Sequence, residues 1–400
     1  MRHIFPSRLR QWVGPLIVAI LAAAILAIAV AASGLLGFAA TTPDSPIVTR
    51  LVHGVFKRSV AAHAGGTPRP ADLDDPSRLM AGAGMFALSC ARCHGSPGIG
   101  QNPVALSMSP RPQYLPAVVG QFSDDELFWI VRHGVKLSAM PAWPAAKRSD
   151  EIWSVVAFLR QLPRMPEARY RQLAYGDPFL PPTSKPLGFG PILRATPYNL
   201  RNRDEWPADE HRYTAPASGL DDLAYADDPR PACARCHGAD GTGRAGSRYP
   251  NLAIQDPRYL RDSLRAFAAG RRSSGPMQIV ASQLSPAQID ALAVHYGGKA
   301  APAPLPTVDG SLGARIASQG IDARGVGACA GCHGVEGSSP EQMPRLAGQN
   351  RRYLIDQMHL FAGEGRGRSG ATNPMRAEVH RLTEAEIIAV SDYYAARPPS

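Results

Sequence analysis

Hydrophobic positions recur with the spacing of amphipathic helices along much of this 400-residue chain. Apolar residues share one helix face after the capping residue Ser123, and again between Ser149 and Leu162. Ser285-Pro286 and Thr383-Glu384 begin comparable stretches, as an N-cap and a first helical turn do. No long stretch alternates apolar and polar residues as a half-buried strand would. The pattern predicts an all-α protein, with small helical domains joined by Gly- and Pro-rich loops.

The beginning of the chain has a different pattern, because no charged residue occurs from Trp12 to Thr42. Residues 13–32 are almost wholly aliphatic, and about 20 apolar residues in a helix span a bilayer. Basic residues precede this stretch within residues 1–11, which predicts a cytoplasmic tail. We therefore predict a transmembrane anchor at residues 12–40, with everything after Pro43 exported to the periplasm of a bacterial inner membrane.

A cleaved signal peptide that ends near Ala39 and Ala40 is the alternative interpretation of the same segment. Its apolar region would be longer than usual, since signal peptides carry about 7–15 apolar residues. Both interpretations export the rest of the chain.

The formal net charge of the chain is +10, which raises the question of a nucleic-acid partner. The basic residues are scattered and form no long run, so nucleic-acid binding is not predicted. Bound cofactors with carboxylate groups would also make the mature protein less basic. The charge therefore says little about partners.

All six cysteines fall in three identical frames, each closed by a histidine. On a helix, positions i, i+3 and i+4 share a face, so this frame presents two thiols to one edge of a porphyrin and an imidazole to its iron. Such a frame is the sequence sign of covalent haem c attachment. We predict three haem c groups, attached at Cys90 and Cys93, Cys233 and Cys236, and Cys329 and Cys332, with His94, His237 and His333 as iron ligands.

Other uses of paired cysteines fit this sequence less well. Disulfides do not require the adjacent histidine, and a zinc site would need four ligands gathered from two half-sites. A thioredoxin-like redox pair would need a β-α-β context that the pattern lacks.

The second half of the chain contains an internal repeat. The frame at Cys233 is echoed at Cys329, and further matching residues follow at separations that run only from 94 to 98 positions. A repeat of this extent indicates a duplicated domain. The matched pairs are Pro250 and Pro344, Leu252 and Leu346, Gln255 and Gln349, Tyr259 and Tyr353, Leu260 and Leu354, Phe267 and Phe361, Met277 and Met375, Leu284 and Leu382, Ile289 and Ile387, and Tyr296 and Tyr394.

The second axial ligand of each iron is predicted from position. Met140, Met277 and Met375 follow the three histidines by 46, 40 and 42 residues, and a methionine thioether raises the potential of a haem. A methionine is also a common core residue. Met108 is the alternative to Met140, and Met343 or Met358 is the alternative to Met375.

These patterns divide the chain into seven predicted segments. They are a cytoplasmic tail (1–11), a transmembrane anchor (12–40), a tether (41–75), a first haem domain (76–165), a Pro-rich connector (166–228), a second haem domain (229–300) and a third (301–400). Pro229 and Pro231 crowd the second motif, so the usual N-terminal helix of that domain is expected to be short or displaced.

With these residues in place, the chain resembles class I c-type cytochromes. The duplicated half resembles the two-domain cytochrome c4 family through residues 344–349, Tyr353-Leu354 and Tyr393-Tyr394. That resemblance implies two haem domains packed face to face, with His237 paired to Met277 and His333 to Met375. Residues 76–165 resemble the single-haem domains of oxidase and dehydrogenase cytochrome subunits through Gly134 and Met140-Pro141-Ala142-Trp143, which implies His94 and Met140 as the axial pair.

The predicted function is electron transfer between a respiratory donor and an acceptor such as a terminal oxidase, without catalytic residues. The expected partners are redox proteins (an oxidase, a dehydrogenase or a quinol-oxidising complex) and the membrane. A second version makes the chain the cytochrome subunit of a membrane-bound dehydrogenase. A haem enzyme such as a peroxidase is the alternative class, but catalysis at haem needs an open distal position, and three suitable methionines argue against one.

Overall fold

The computed structural model describes residues 7–37, 39–40, 42, 45–98, 100–101, 103–176, 228–299, 310–334, 343–363, 365–366 and 373–396. Within these ranges the chain is helical and contains no β-strand, and an isolated bridge joins Ile321 and Val326. The prediction of an all-α fold is confirmed. The chain divides into two compact bodies, residues 1–53 and residues 54–400.

The first body contains helix α1 (Ser7–Ala32). Its stretch Trp12–Ala32 has 21 residues, none of them buried, and is long and apolar enough to cross a membrane. A signal sequence near the N-terminus can also be this apolar and this long, so α1 is compatible with both interpretations of the N-terminal segment.

The second body contains three groups of helices, which we call the first module (described residues 54–176), the second module (228–299) and the third module (310–396). The helix before them, α2 (Pro46–His63), occupies much of the predicted tether. In its C-terminal half Val60 is fully buried, and Lys57 donates a hydrogen bond of 3.0 Å to Gln121. The C-terminal half of α2 therefore packs as part of the first module.

The first module is built around the crossing of α3 (Pro76–Ser89) and α8 (Ser149–Gln161). A glycine permits this close crossing, because a Cβ on Gly82 would lie 1.8 Å from the carbonyl oxygen of Ser154. The other helices are α4 (Ala91–His94), α5 (Pro103–Leu106), α6 (Leu115–Val118), α7 (Asp124–His133) and α9 (Glu167–Tyr175), with 3₁₀ turns at Val119–Gln121 and Leu162–Arg164. Ser123 and Glu126 cap α7 reciprocally, as the sequence pattern predicts.

The first module extends beyond the predicted domain end at residue 165. Helix α9 packs against α3, and its residues Tyr170 and Leu173 are buried in the same core as Phe86. Three buried apolar side chains in nine residues, Tyr170, Leu173 and Ala174, give α9 a core-facing side, which the Pro-rich composition of the region obscured. The rest of the predicted connector, residues 177–227, lies outside the described residues.

The second module begins with α10 (Arg230–His237), which contains the second cysteine motif. Pro229 is its N-cap residue and Pro231 lies in its first turn, where a missing backbone N–H costs nothing. Helices α11 (Pro257–Ala268), α12 (Gly275–Ala281) and α13 (Pro286–Tyr296) follow. They enclose a small core that contains Leu260, Leu284, Ile289, Leu292 and Tyr296.

The third module repeats the crossing seen in the first. Helix α14 (Leu312–Gln319) meets α18 (Glu384–Ala395) at Gly313, where a Cβ would lie 2.2 Å from the carbonyl oxygen of Ala389. Between them lie a 3₁₀ turn at Asp322–Arg324 and helices α15 (Ala330–His333), α16 (Arg351–Ala362) and α17 (Pro374–Val379).

Candidate haem sites and the interfaces between them

Each cysteine motif lies on a short helix that ends at its histidine. Helices α4, α10 and α15 end at His94, His237 and His333. The next residue is a glycine in each case, with φ of 67°, 77° and 74° at Gly95, Gly238 and Gly334. Glycine adopts this left-handed conformation without strain, so the chain turns sharply away just after the imidazole. The imidazole is thus the last helical side chain at each site.

Each of the three imidazoles lies within hydrogen-bond distance of a backbone carbonyl oxygen. Nδ1 lies 2.7 Å from the carbonyl oxygen of Gln113 for His94, 3.4 Å from that of Pro250 for His237, and 2.8 Å from that of Pro344 for His333. A proton on Nδ1 donates to this carbonyl and leaves the lone pair of Nε2 for a metal.

The protonation state of the imidazoles also suits a metal ligand. Burial lowers the pKa of His237 to about 4 and lowers the pKa values of His94 and His333, against the opposing effect of the carbonyl hydrogen bonds. Neutral imidazole is the form that binds metals, so these side chains are ready to bind without losing a proton at neutral pH.

In the third module the predicted axial pair is close together. The sulfur of Met375 lies 3.4 Å from Nε2 of His333. Met375 is the second residue of α17, whose N-cap Asn373 accepts a hydrogen bond from the backbone of Arg376. The alternatives Met343 and Met358 line the same cavity, and Met358 also packs into the module's core.

In the second module, Met277 lies in the first turn of α12, and Ser274 caps that helix. Met277 and His237 line one cavity together with Cys233 and Cys236. The structure therefore brings the four predicted site residues of this module to one enclosed space.

In the first module, Met140 lies in a loop that closes tightly on the end of α7. Its carbonyl accepts a 3.1 Å hydrogen bond from Val135 N–H, and its N–H donates to Ser138 Oγ at 3.2 Å. Gly134 has φ of 66°, and a Cβ there would lie 2.5 Å from Pro141 and 2.6 Å from Met140 backbone atoms. Gly134 is therefore required for the course of the Met140 loop.

The second and third motifs share a continuous, mostly apolar cavity of about 640 Å³. Its walls include the cysteines and histidines of both motifs, with Met277 and Met375. Burial raises the pKa of Cys233 to about 12 and of Cys329 to about 11, so both thiols are neutral. Among the described residues, an apolar space bounded by paired thiols, a neutral imidazole and a thioether fits haem c at both motifs.

The second and third modules meet through a reciprocal pair of glutamines. The side chain of Gln255 accepts from Arg345 N–H at 2.9 Å and donates to the Arg345 carbonyl at 2.8 Å. The side chain of Gln349 does the same with Asn251, at 2.7 and 2.9 Å. Gln349 follows Gln255, and Arg345 follows Asn251, by the same 94 residues. The two copies of the repeat therefore face each other across an approximate two-fold axis.

Two tyrosines and two arginines extend this symmetric interface. Arg272 donates to Tyr353 Oη at 3.0 Å and Arg366 donates to Tyr259 Oη at 3.2 Å. Burial would raise the pKa of Tyr259, but the charges of Arg272 and Arg366 outweigh it and lower the value to about 8. Arg366 was not predicted as an interface residue from the sequence, although it follows Arg272 at the spacing of the repeat.

The first module covers one side of the second motif. A Cβ on Gly84 of α3 would lie 2.4 Å from Tyr249 Oη and 3.9 Å from the sulfur of Cys236. The guanidinium of Arg235, inside the second motif, lies 4.9 Å from the ring centroid of Tyr175 on α9. The first module thus packs directly on the cysteine edge of the second site.

Helices that carry paired cysteines and a carbonyl-bonded imidazole, facing an apolar cavity, define a c-type cytochrome. The chain belongs to the cytochrome c family. The family model described as cytochrome c matches residues 226–295 and 313–395, and the model described as cytochrome c oxidase, cbb3-type, subunit III matches residues 77–159. The predicted resemblances of both halves are confirmed, and cytochrome c domains bind haem c covalently and transfer electrons.

Individual relatives match a little less than half of the chain. The thiosulfate dehydrogenase electron acceptor of Thiomonas intermedia is 37% identical over 195 residues, which cover 47% of this chain and 87% of the relative. A cytochrome c4 of Azotobacter vinelandii is 29% identical, covering 45% and 91%. Among solved structures, the thiosulfate dehydrogenase of Marichromatium purpuratum is 36% identical over 42% of this chain and 36% of that one, with a TM-score of 0.37.

Proposed function

We propose that the chain holds three haem c groups and relays single electrons among them. The attachment residues are Cys90 and Cys93, Cys233 and Cys236, and Cys329 and Cys332. The axial pairs are His94 with Met140, His237 with Met277 and His333 with Met375. When bound, haem c supplies an iron that alternates between its ferrous and ferric states. The observation that carries the proposal is that His333 Nε2 and Met375 Sδ of the third module face each other, 3.4 Å apart. The other two axial pairs are proposed from the similar spacing of histidine and methionine.

The protein's own residues supply attachment, ligation and exclusion of water. The carbonyls of Gln113, Pro250 and Pro344 fix the orientation of the imidazoles through Nδ1, which is the usual role of such partners. Axial methionine and burial both favour a high potential, as an electron carrier late in a respiratory chain needs. A filled sixth position also leaves no site for peroxide, which argues for a carrier and against a peroxidase.

The donor that we propose is a dehydrogenase of the thiosulfate dehydrogenase type. This rests on the names of two relatives, which are 37% and 35% identical over 47% and 41% of this chain. The first module resembles an oxidase subunit instead, so we propose that electrons leave through it toward a terminal oxidase. The chain would then act as an electron-transfer subunit, anchored by α1 in a bacterial inner membrane with its haem modules in the periplasm.

Mass spectrometry of exported protein tests the number of haems. The wild type should carry the mass of three haems, and the double substitutions C90A/C93A, C233A/C236A and C329A/C332A should each remove one. A pyridine haemochrome assay gives an independent count. A wild-type mass with two haems would refute the assignment at the motif whose double substitution leaves the mass unchanged.

Carbon monoxide distinguishes a carrier from a haem enzyme. The reduced wild-type spectrum should not change under carbon monoxide if each iron holds its methionine. A shift in the wild type would support the peroxidase alternative. Stopped-flow mixing with thiosulfate dehydrogenase and thiosulfate then tests the donor. Thiosulfate alone is the control for direct chemical reduction of the haems. Reduction that is faster with the dehydrogenase than in this control supports the proposed donor, and no reduction refutes it.

A further inference from the structure

Glu151 is a fully buried carboxylate on α8 of the first module, with a side chain that is 2% exposed. Its four partners come from two modules. Oε1 accepts from Ser274 Oγ at 2.7 Å and pairs with Arg148 Nη1 at 2.7 Å. Oε2 accepts from Trp143 Nε1 at 3.0 Å and from Gly275 N–H at 2.7 Å. A buried charge with this many donors is held in one position.

The partners of Glu151 belong to the two segments that carry Met140 and Met277. Trp143 follows Met140 by three residues. Ser274 is the N-cap of α12 and accepts a 3.4 Å hydrogen bond from the backbone N–H of Met277. Glu151 therefore reaches Met277 through one hydroxyl group, and it reaches the Met140 loop through one indole.

The two segments also touch each other beside Glu151. A Cβ on Gly275 would lie 2.6 Å from the ring of Trp143, so only glycine permits this contact. Arg148 neutralises the carboxylate and donates at 2.9 Å to the carbonyl of Ser273, just before the cap of α12. Neither segment can shift at this contact without disturbing the other.

We propose that Glu151 is a positioning residue that fixes the Met140 and Met277 segments together, and so couples the axial ligands of the first and second haem sites. This inference rests on the proposed function, in which both methionines bind iron. Removing the carboxylate would leave the donors of Trp143, Ser274 and Gly275 buried without an acceptor, and the segments would move to satisfy them. The Met375 segment is capped by its own Asn373 and should not respond.

Two spectroscopic measurements on the purified holoprotein test this proposal. The weak red absorption band of the ferric iron–methionine bond reports how many methionines are bound, and carbon monoxide binding to the reduced protein reports how many are labile. E151A should lose up to about two-thirds of the band and bind carbon monoxide at up to two haems, because two of three sites depend on Glu151. E151Q should give a smaller change of the same kind.

Narrower variants separate the two connections. S274A acts directly on the Met277 segment and should weaken the second site more than the first, with a loss of about one-third of the band from the second site. W143F removes the indole donor and should weaken the first site more than the second. E126Q is the matched control, since Glu126 is a carboxylate of the same module that caps α7 and contacts neither segment. It should leave both readouts unchanged.

The outcomes decide between positioning and simple packing. If E151A and S274A lower the melting temperature but leave the band and carbon monoxide binding unchanged, Glu151 is only structural and the proposal is wrong. An equal loss at the third site would also overturn it. A failure of the ligand assignment looks different: M277A would then keep the full band, whatever Glu151 does.

Discussion

Arg248 of the second module and Asp356 of the third form an ion pair in which Nη1 donates to both carboxylate oxygens, at 2.7 and 2.9 Å. The same guanidinium also contacts Asp72 of the first module, and its Nε donates to Ser77 Oγ at 3.0 Å. The side chain of Arg248 is only 7% exposed. One arginine thus lies where all three modules meet.

Replacing Arg248 by alanine should destabilise the protein strongly. Burial already raises the pKa of Asp356 despite the opposing charge of Arg248, so its carboxylate depends on this partner. Breaking a buried pair from one side costs about 3–5 kcal/mol. Urea unfolding of the holoprotein measures the loss. R351A is the control, because the Arg351–Asp392 pair is 39% and 50% exposed and should contribute about 0–1 kcal/mol. Equal losses of stability in the two variants would contradict a stabilising role of the buried Arg248–Asp356 pair.

Q255A and Q349A should destabilise the interface of the second and third modules by similar amounts. Each substitution leaves a buried backbone N–H and carbonyl without partners, on Arg345 or on Asn251, at about 1–3 kcal/mol per unsatisfied group. The two-fold relationship makes the losses comparable. Urea unfolding is again the measurement, with the exposed Gln319 as the matched control through Q319A. A large effect from only one of the pair would argue against the symmetric interface.

G82A should lower the stability of the first module more than most surface substitutions do. The new Cβ would lie 1.8 Å from Ser154 O, so α3 and α8 must separate and lose core contacts. Overpacking of this kind typically costs about 1–3 kcal/mol or more. Gly120 has open space around its Cβ position and an ordinary φ, so G120A serves as the control. Thermal unfolding that is unchanged in G82A would refute the close crossing.

The acid stability of the third module should depend on Glu386. The hydrogen bond from Arg324, stronger than the opposing effect of burial, lowers the pKa of Glu386 to about 2. The folded value is below the unfolded one, so this stabilisation is complete above about pH 4.5 and is lost as the pH falls toward 2. The pair lies near the surface, so its contribution is about 1 kcal/mol at most.

E386Q tests this dependence while it keeps the side-chain oxygen that caps α18. Urea midpoints of the wild type and of E386Q should differ at pH 6 and converge as the pH approaches 2. Parallel curves over the whole range would mean that the charge of Glu386 contributes nothing.

The sequence determined the composition of each candidate site. On any helix, thiols at positions i and i+3 reach one ring edge and an imidazole at i+4 reaches the iron, so the motif residues follow from local geometry. The duplication could also be recognised from the sequence, because residues between Pro250 and Tyr296 match residues between Pro344 and Tyr394 at a nearly constant separation. The helical pattern predicted α7, α8, α13 and α18, together with the capping residues Ser123, Ser285 and Thr383.

Only the tertiary structure decided how the modules share residues. Glu151 reads in the sequence as an ordinary acid in the first turn of a helix, yet it is buried against Ser274, which is 123 residues away. Arg248 lies 176 residues from Asp72 and 108 from Asp356. Charge, polarity and helical period are local properties of a sequence. Whether a side chain is buried, and which residue it contacts, depends on which surfaces pack together. The three modules form these contacts only when they are folded against one another.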